Sequence, residues 1–101
     1  CVTVTEALLA DQNLRAQDID LFEIHEAFAA TLVKTRQVLG IDDSLLNVNG
    51  GVIALGHPMG ATGAIMTGTL IDELHRQQLS SGIVAASGAA GSGSALLLER
   101  C

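Results

Sequence analysis

The feature that most constrains the fold is a short apolar strand pattern that runs directly into a helical one. Residues Asp18 to Ile24 fit a strand covered on both faces, and from Glu26 the apolar residues recur at helical spacing. Gly40 follows the last of them, as is typical just past a helix end. A strand buried on both faces needs neighbouring strands, so the chain is expected to be α/β, with helices packed on a sheet.

Two further helices are predicted. Val4 to Leu9 carries one apolar helical face, which the polar stretch 11–13 ends. The sole proline, Pro58, suits the first turn of a helix that is expected to run to about Gln77. Glycines inside that helix each cost about 1 kcal/mol relative to alanine, so close backbone packing is expected to offset them.

Two strands are predicted near the end of the chain. Ile83 to Ala86 and Ala95 to Leu98 are apolar, and the glycine-rich connection 88–93 can fold as a hairpin with positive φ angles. The predicted order is helix, strand, helix, loop, helix, strand, strand. A chain of 101 residues is enough for one small domain.

Composition excludes several classes of function. The net charge of -6 with only five basic residues argues against binding nucleic acid or an anionic membrane through a basic surface. The two cysteines stand at the extreme ends, so neither a metal site nor a disulfide framework is indicated. The sequence does not open on a basic region followed by a long apolar stretch and holds no apolar run of 18 or more residues, so neither a signal peptide nor a membrane span is expected. We expect a soluble protein in a reducing compartment.

His57, within Gly56-His57-Pro58, is the first candidate for chemistry. With Pro58 as the first helical residue, His57 would be the N-cap, close to unpaired N–H groups and the positive end of the helix dipole. That environment is expected to keep the imidazole neutral and able to act as a general base. The alternative is a histidine merely tolerated in a turn.

Two more candidates lie where strands end. His25 and Glu26 stand between the first predicted strand and its helix, where ligand-facing residues lie in open α/β sheets. Alternatively, Glu26 only complements the helix dipole and His25 is partly exposed. Ser87 opens the glycine-rich connection, whose amides could face an oxyanion, unless it is an ordinary loop serine. Phosphate-loop, hydrolase-elbow and dinucleotide motifs are all absent from the sequence.

Three stretches together resemble the C-terminal domain of the thiolase family: 25–30, 47–64, and the block from Ser87 to Gly93 with Glu99-Arg100 after it. The resemblance implies a thiolase-type half, a mixed five-stranded sheet covered by helices. Because the chain begins within the first helix, the first strand is expected to be missing. Residues 1–101 would then be a partial C-terminal domain that lacks the N-terminal half.

The resemblance also implies an acyl-CoA C-acyltransferase, acting in 3-ketoacyl-CoA thiolysis or in Claisen condensation of acetyl-CoA. His57 would activate a nucleophilic cysteine of the absent half, and His25, where the family usually has asparagine, would position a water beside the thioester oxygen. Other residues are assigned supporting roles: Gly56, Gly88 and Ala89 in the oxyanion hole and turns, and Glu26, Asn49, Gly50, Pro58 and Gly60 in the structure near the site.

Coenzyme A thioesters are the implied substrates, with no permanently bound cofactor and no metal. The implied partners are acyl-CoA or CoA, the N-terminal half, and further copies of the protein in a dimer or tetramer, with no nucleic acid or membrane. The cytoplasm is favoured, with the mitochondrial and peroxisomal matrices left open. The isolated chain is expected to be inactive and, with a bare strand edge, to associate.

Ser87 is the main departure from the family, which has an acid/base cysteine at that position. A serine hydroxyl is a far weaker acid than a thiol, whose pKa is near 8.5, so proton transfer should slow by orders of magnitude. Three explanations stay open: a thiolase altered at Ser87, a thiolase-like enzyme that uses another proton carrier such as His25, or a paralogue with weak or different acyl-transfer chemistry. A separate hypothesis is a non-catalytic thiolase-like module that binds acyl-CoA or a partner chain without turnover. A serine hydrolase built on Ser87 and His57 is disfavoured because no nucleophile elbow is present.

Overall fold

Four helices and three strands make up the fold, which the computed structural model describes over residues 1–101. Their bounds are α1 Val2–Asp11, β1 Leu21–Ile24, α2 Ala29–Leu39, α3 Val52–Leu55, α4 Thr62–Gln77, β2 Ser81–Ser87 and β3 Gly93–Glu99. The predicted order is confirmed, with the short helix α3 added inside the predicted loop. None of the helices combines the length and apolarity needed to cross a membrane.

The sheet is mixed and has the order β1-β2-β3. β1 runs parallel to β2, with Leu21 opposite Gly82, and β2 runs antiparallel to β3. Leu46 bridges Phe22 on the other side of β1, and the Asn47 amide donates to the Phe22 carbonyl at 2.9 Å. The α/β class is therefore confirmed, and this chain contributes three strands of the five expected of a thiolase-type half.

β1 is covered on both faces, as predicted, and all four of its residues are buried. One face belongs to a cluster that includes Phe22, Ile24 and Ile83. The other face packs on α4 through a second cluster: Leu21, Met66, Leu70, Leu74 and Val84. These aliphatic side chains pack closely on the sheet, which suits a chain that is 49% apolar and only 2% aromatic.

α4 begins at Thr62, so the prediction of a helix starting at Pro58 is wrong. Pro58 has a ψ of 43°, and Met59 has a φ of 41°, in the left-handed region. These angles interrupt a right-handed helix, and residues Met59–Ala61 form a separate 3₁₀ turn instead. α2 likewise begins at Ala29, three residues after the predicted start at Glu26, while its predicted end at Gly40, with a φ of 65°, is confirmed.

The glycines of α4 are not packed against other backbone, contrary to expectation. A methyl group added at Gly63 or Gly68 would meet no atom within 4 Å outside the local helix. Both residues line an open groove whose floor includes Val84 and Leu96. Close backbone packing within this chain therefore does not offset the conformational cost of these glycines.

Glu23 is a carboxyl group buried within the sheet layer. Side chains alternate along a strand, so Glu23 shares the α4-facing side of β1 with Leu21 and is only 4% exposed. Burial, and secondly the nearby Glu26 carboxylate, raises the pKa of Glu23 from 4.5 to about 7. Because the folded-state pKa lies above the unfolded value, Glu23 favours folding below pH 4.5, and this contribution is lost as pH rises from about 4.5 to 7.

Glu23→Gln is therefore expected to be more favourable to the free energy of unfolding at pH 8 than at pH 4.5. The effects of the substitution at the two pH values should differ by about 1–3 kcal/mol. The neutral amide fills the same space without a charge to bury. Urea unfolding of the complete protein across this pH range measures the difference. Glu99→Gln, at an exposed position, is the control, and a pH profile that Glu23→Gln leaves parallel to the parent would contradict the prediction.

Candidate active site

Two of the three candidate residues lie at one edge of the sheet. His25 follows the last residue of β1, and Ser87 is the last residue of β2. Because these strands are parallel, their carboxyl ends meet at the same edge, and the His25 amide donates to the Ala85 carbonyl at 2.9 Å. The predicted position for ligand-facing residues in an open α/β sheet is thereby occupied.

A cavity of about 390 Å³ opens at this edge, and the third candidate, His57, reaches it from the loop before α4. Its lining consists of nine residues: His25, Ala27, Phe28, Thr31, His57, Met59, Ser87, Gly88 and Ala89. The structure thus brings together five residues singled out from the sequence. The others, Glu26, Asn49, Gly50, Gly56, Pro58 and Gly60, lie outside the lining.

The two histidines of the cavity are in contact but differ in environment. Their ring centroids are 4.6 Å apart, with the planes tilted by 44°. His57 is exposed, and its Nδ1 lies 2.7 Å from the Thr62 hydroxyl oxygen. His25 is only 5% exposed, and neither of its ring nitrogens has a hydrogen-bond partner. The alternative of a partly exposed His25 is therefore wrong.

His57 is not the N-cap of α4. The residue that precedes the helix is Ala61, because the turn at Pro58 and Met59 delays the helix start. His57 is connected to that start indirectly, through its contact with Thr62, the first residue of α4. The predicted direct capping position is wrong, although the ring remains tied to this end of the helix.

The Glu26 carboxylate fastens the loop that carries His57. It accepts hydrogen bonds from the Asn47 side-chain amide at 3.0 Å and from the Ile53 backbone amide at 3.1 Å. The first turn of α2 contains no acidic residue, so Glu26 does not act there as the dipole complement considered from the sequence. It instead joins the end of β1 to the segment 47–56.

Asn47 is a structural residue that sequence reasoning did not single out. Its side chain accepts from the Ile24 amide at 2.7 Å and donates to the Ile24 carbonyl at 2.9 Å, so it replaces a strand partner at the edge of β1. Its own backbone has a φ of 44°, a left-handed conformation that asparagine adopts more readily than most residues. The sequence signal that could have identified Asn47 is its place, with Asn49, shortly before Gly50 and Gly51.

Asn49 ties the same loop to α4. Its side-chain amide donates to Glu73 at 3.0 Å. Hydrogen bonds from Arg76, and then from Asn49 and Gln77, lower the pKa of Glu73 to about 2. Gly50 and Gly56 have φ angles of 79° and 85°, which favour glycine in this loop.

The connection between β2 and β3 forms the remaining wall of the cavity. It is a tight turn in which Ala90 and Gly91 have φ angles of 57° and 78°, so the predicted hairpin with positive φ angles is confirmed. The Gly88 amide donates to the Ser92 carbonyl at 2.9 Å, and a side chain at Gly88 would collide with the Ser92 hydroxyl. Backbone therefore lies close to the cavity beside Ser87.

Gly51→Ala is expected to loosen the loop of His57. The new methyl carbon would lie 2.6 Å from Glu26 Oε2, and that carboxylate is held by Asn47 and Ile53. Loss of these hydrogen bonds should cost about 1–3 kcal/mol and increase amide hydrogen exchange over residues 47–56 of the complete protein. Gly63→Ala, where a methyl group has open space, is the control; equal exchange in both variants would refute the prediction.

Comparisons with known proteins agree with this geometry. Residues 1–100 match the family model described as the C-terminal domain of thiolase. The chain is 47% identical over 89 residues to 3-ketoacyl-CoA thiolase of Bacillus subtilis, covering 88% of this chain and 23% of that protein. It is 42% identical over 99 residues to acetyl-CoA acetyltransferase of Synechocystis sp., covering 98% of this chain and 25% of that protein.

A solved structure is similar as well. The crystal structure of human mitochondrial 3-ketoacyl-CoA thiolase in complex with CoA superposes with a TM-score of 0.95 at 36% identity, covering 99% of this chain and 25% of that one. The chain spans about a quarter of the length of the relatives it matches. On both sequence and fold, this chain belongs to the thiolase family.

Proposed function

We propose that this chain is the C-terminal part of an acyl-CoA C-acyltransferase, in which His57 is the general base. The observation that carries the proposal is the convergence of His25, His57 and Ser87 on one cavity at the carboxyl ends of parallel strands. The chain acts in thiolysis of a 3-ketoacyl-CoA or in the reverse condensation of acetyl-CoA. Residues 1–101 form a partial domain whose other half carries the nucleophile.

The proposed reaction has two acyl-transfer steps. The His57 imidazole takes the proton of a cysteine thiol from the other half, and the thiolate attacks the 3-keto carbon of the substrate. The bond between the α-carbon and that keto carbon breaks, the α-carbon is protonated, and acetyl-CoA leaves. The sulfur of CoA then attacks the acyl carbonyl carbon, and its thiol proton passes to the group that protonated the α-carbon. The carbon–sulfur bond to the cysteine breaks, and the His57 imidazolium returns its proton to the cysteine thiolate. Because Thr62 occupies Nδ1 of His57, Nε2 is the nitrogen left for this proton transfer.

The proposed substrate and partners are inferred from the charge of this chain and from its exposed apolar side chains. Only five basic residues are present in a chain of charge -6, so the phosphates of a CoA thioester are held mainly by residues outside it. Phe28, Ile53, Leu55 and Met59 are each more than 60% exposed, and Phe28 and Met59 line the cavity. An apolar surface of this kind suits the N-terminal half, and the complete protein is proposed to be a dimer or tetramer.

Neither half is proposed to hold a cofactor permanently. Relatives with similar sequences carry names that specify the peroxisome, and the similar human structure is of a mitochondrial protein. The cytoplasm is the proposed compartment for this protein, with those two matrices as the other outcomes. Localising the complete protein with a fluorescent tag distinguishes them.

A second candidate function is a non-catalytic or weakly active module that binds acyl-CoA. Ser87 favours it, because Ser87 lies in the cavity where the resemblance expects an acid/base thiol. Such a module would retain affinity for CoA thioesters without turnover. Binding of acetyl-CoA to the complete protein, measured by calorimetry beside the thiolysis assay, separates affinity from catalysis.

The test is acetoacetyl-CoA thiolysis by the complete protein, with the 101-residue chain assayed in parallel. We expect turnover by the complete protein and none by the chain alone, since the nucleophile lies outside it. If the complete protein is inactive but Ser87→Cys restores turnover, the site is that of a disabled enzyme. If neither the complete protein nor its Ser87→Cys variant turns over acetoacetyl-CoA, the proposed catalytic function is refuted and the binding module is favoured.

A further inference from the structure

We propose that His25 carries the α-carbon proton in this protein, in place of the thiol that Ser87 lacks; this inference rests on the proposed function. Both residues open onto the cavity of His57 from the ends of adjacent strands. His25 is therefore on the same side of the site as the position that the thiol would occupy.

The cavity lining leaves few other proton carriers. Among its nine residues only His25 and His57 carry a side chain of a type that serves as a general acid or base, since the others are apolar or carry hydroxyl groups. His57 already serves the nucleophilic thiol in the proposed reaction. The nearest motif carboxylate, Glu26, is bound to Asn47 and Ile53 and does not line the cavity. Among the residues that line the cavity, His25 is the remaining candidate.

The ring of His25 is equipped for this step. Neither Nδ1 nor Nε2 has a hydrogen-bond partner, although the side chain is only 5% exposed. A purely structural buried imidazole would be expected to bond at least one of them, because a buried polar group without a partner destabilises the fold. His57, by contrast, has Nδ1 engaged by Thr62. His25 therefore lines the cavity with two ring nitrogens that no group of this chain engages.

The proposed step balances in both directions. In condensation, a neutral nitrogen of His25 takes the α-proton of acetyl-CoA while the α-carbon forms a bond to the acyl carbonyl carbon. The carbon–sulfur bond to the cysteine then breaks, and the thiolate leaves. In thiolysis, the His25 imidazolium returns that proton to the α-carbon as the carbon–carbon bond breaks. Each step uses only groups of the proposed reaction.

A double-mutant cycle in the complete protein tests the proposal. His25→Asn introduces the residue that the family usually has at this position. It therefore retains any positioning of water but removes the proton carrier. In the Ser87 protein we expect it to lower thiolysis, and exchange of the acetyl-CoA α-protons with deuterated water, by about 10²- to 10⁴-fold. In the Ser87→Cys background the loss should shrink at least tenfold, because the thiol supplies a second carrier.

Acetylation of the nucleophile by acetyl-CoA, detected as acetyl-protein by mass spectrometry, should persist in His25→Asn because no carbon–carbon bond breaks in that step, and its persistence excludes unfolding as the cause. An equal loss in both backgrounds would overturn the inference while leaving the proposed function intact. So would activity that appears only with Ser87→Cys, since His25 would then be unable to carry the proton alone. Absence of thiolysis in every variant would refute both proposals.

Discussion

His57→Asn is expected to lower the kcat of acetoacetyl-CoA thiolysis by the complete protein by about 10²- to 10⁴-fold. The asparagine keeps a polar group near Thr62 but cannot take a proton from the nucleophilic thiol. Since His57 is exposed and lies on a loop, the free energy of unfolding should change little. Steady-state kinetics and a thermal unfolding scan of the same samples measure the two effects separately.

His75→Asn is the matched control for that variant. His75 is also an exposed imidazole, but it lies on α4, bonds the Ile71 carbonyl at 2.9 Å and does not line the cavity. His75→Asn should leave kcat within a factor of about two, because removal of an imidazole that does not line the cavity affects no reacting group. Similar losses in the two variants, or full activity in His57→Asn, would refute the assignment of His57 as the base.

Asn47→Ala is expected to destabilise the site edge of the sheet by about 2–5 kcal/mol. The change leaves the buried amide and carbonyl of Ile24 without partners and removes one of the two hydrogen bonds to Glu26. Activity should fall as well, because Glu26 then loses part of its hold on the loop of His57. Hydrogen exchange of residues 21–28 in the complete protein, followed by mass spectrometry, measures the local effect.

Asn13→Ala separates lost hydrogen bonds from backbone strain. Asn13 has a φ of 55°, close to the 44° of Asn47, but it is exposed and its side chain makes no hydrogen bond. Both variants place alanine in the left-handed region, so the strain is common to them. If the two variants lost the same free energy of unfolding, the bonds between Asn47 and Ile24 would contribute nothing measurable.

The short motifs named five residues that line one cavity and six that do not, and the largest error concerned local geometry. His25, His57, Ser87, Gly88 and Ala89 line one cavity, as the resemblance led us to expect. The helix start at Pro58 was wrong because a proline at a helix start is a statistical preference, whereas the positive φ of Met59 is decided by the folded loop. The hydrogen-bond partners of the Glu26 carboxylate could not be predicted, because they lie 21 and 27 residues away in the sequence.

By itself, the sequence determined the α/β class and the order of the elements, and it singled out His25, His57 and Ser87 as candidates for chemistry, because apolar periodicity and glycine-framed motifs are local properties. Only the tertiary structure decided that His25 is buried with two unpaired nitrogens, that Asn47 completes the edge of β1, and that His57 contacts both His25 and Thr62. These features arise where the ends of parallel strands and a distant loop meet. Burial and hydrogen bonding depend on that meeting and on no single stretch of the chain.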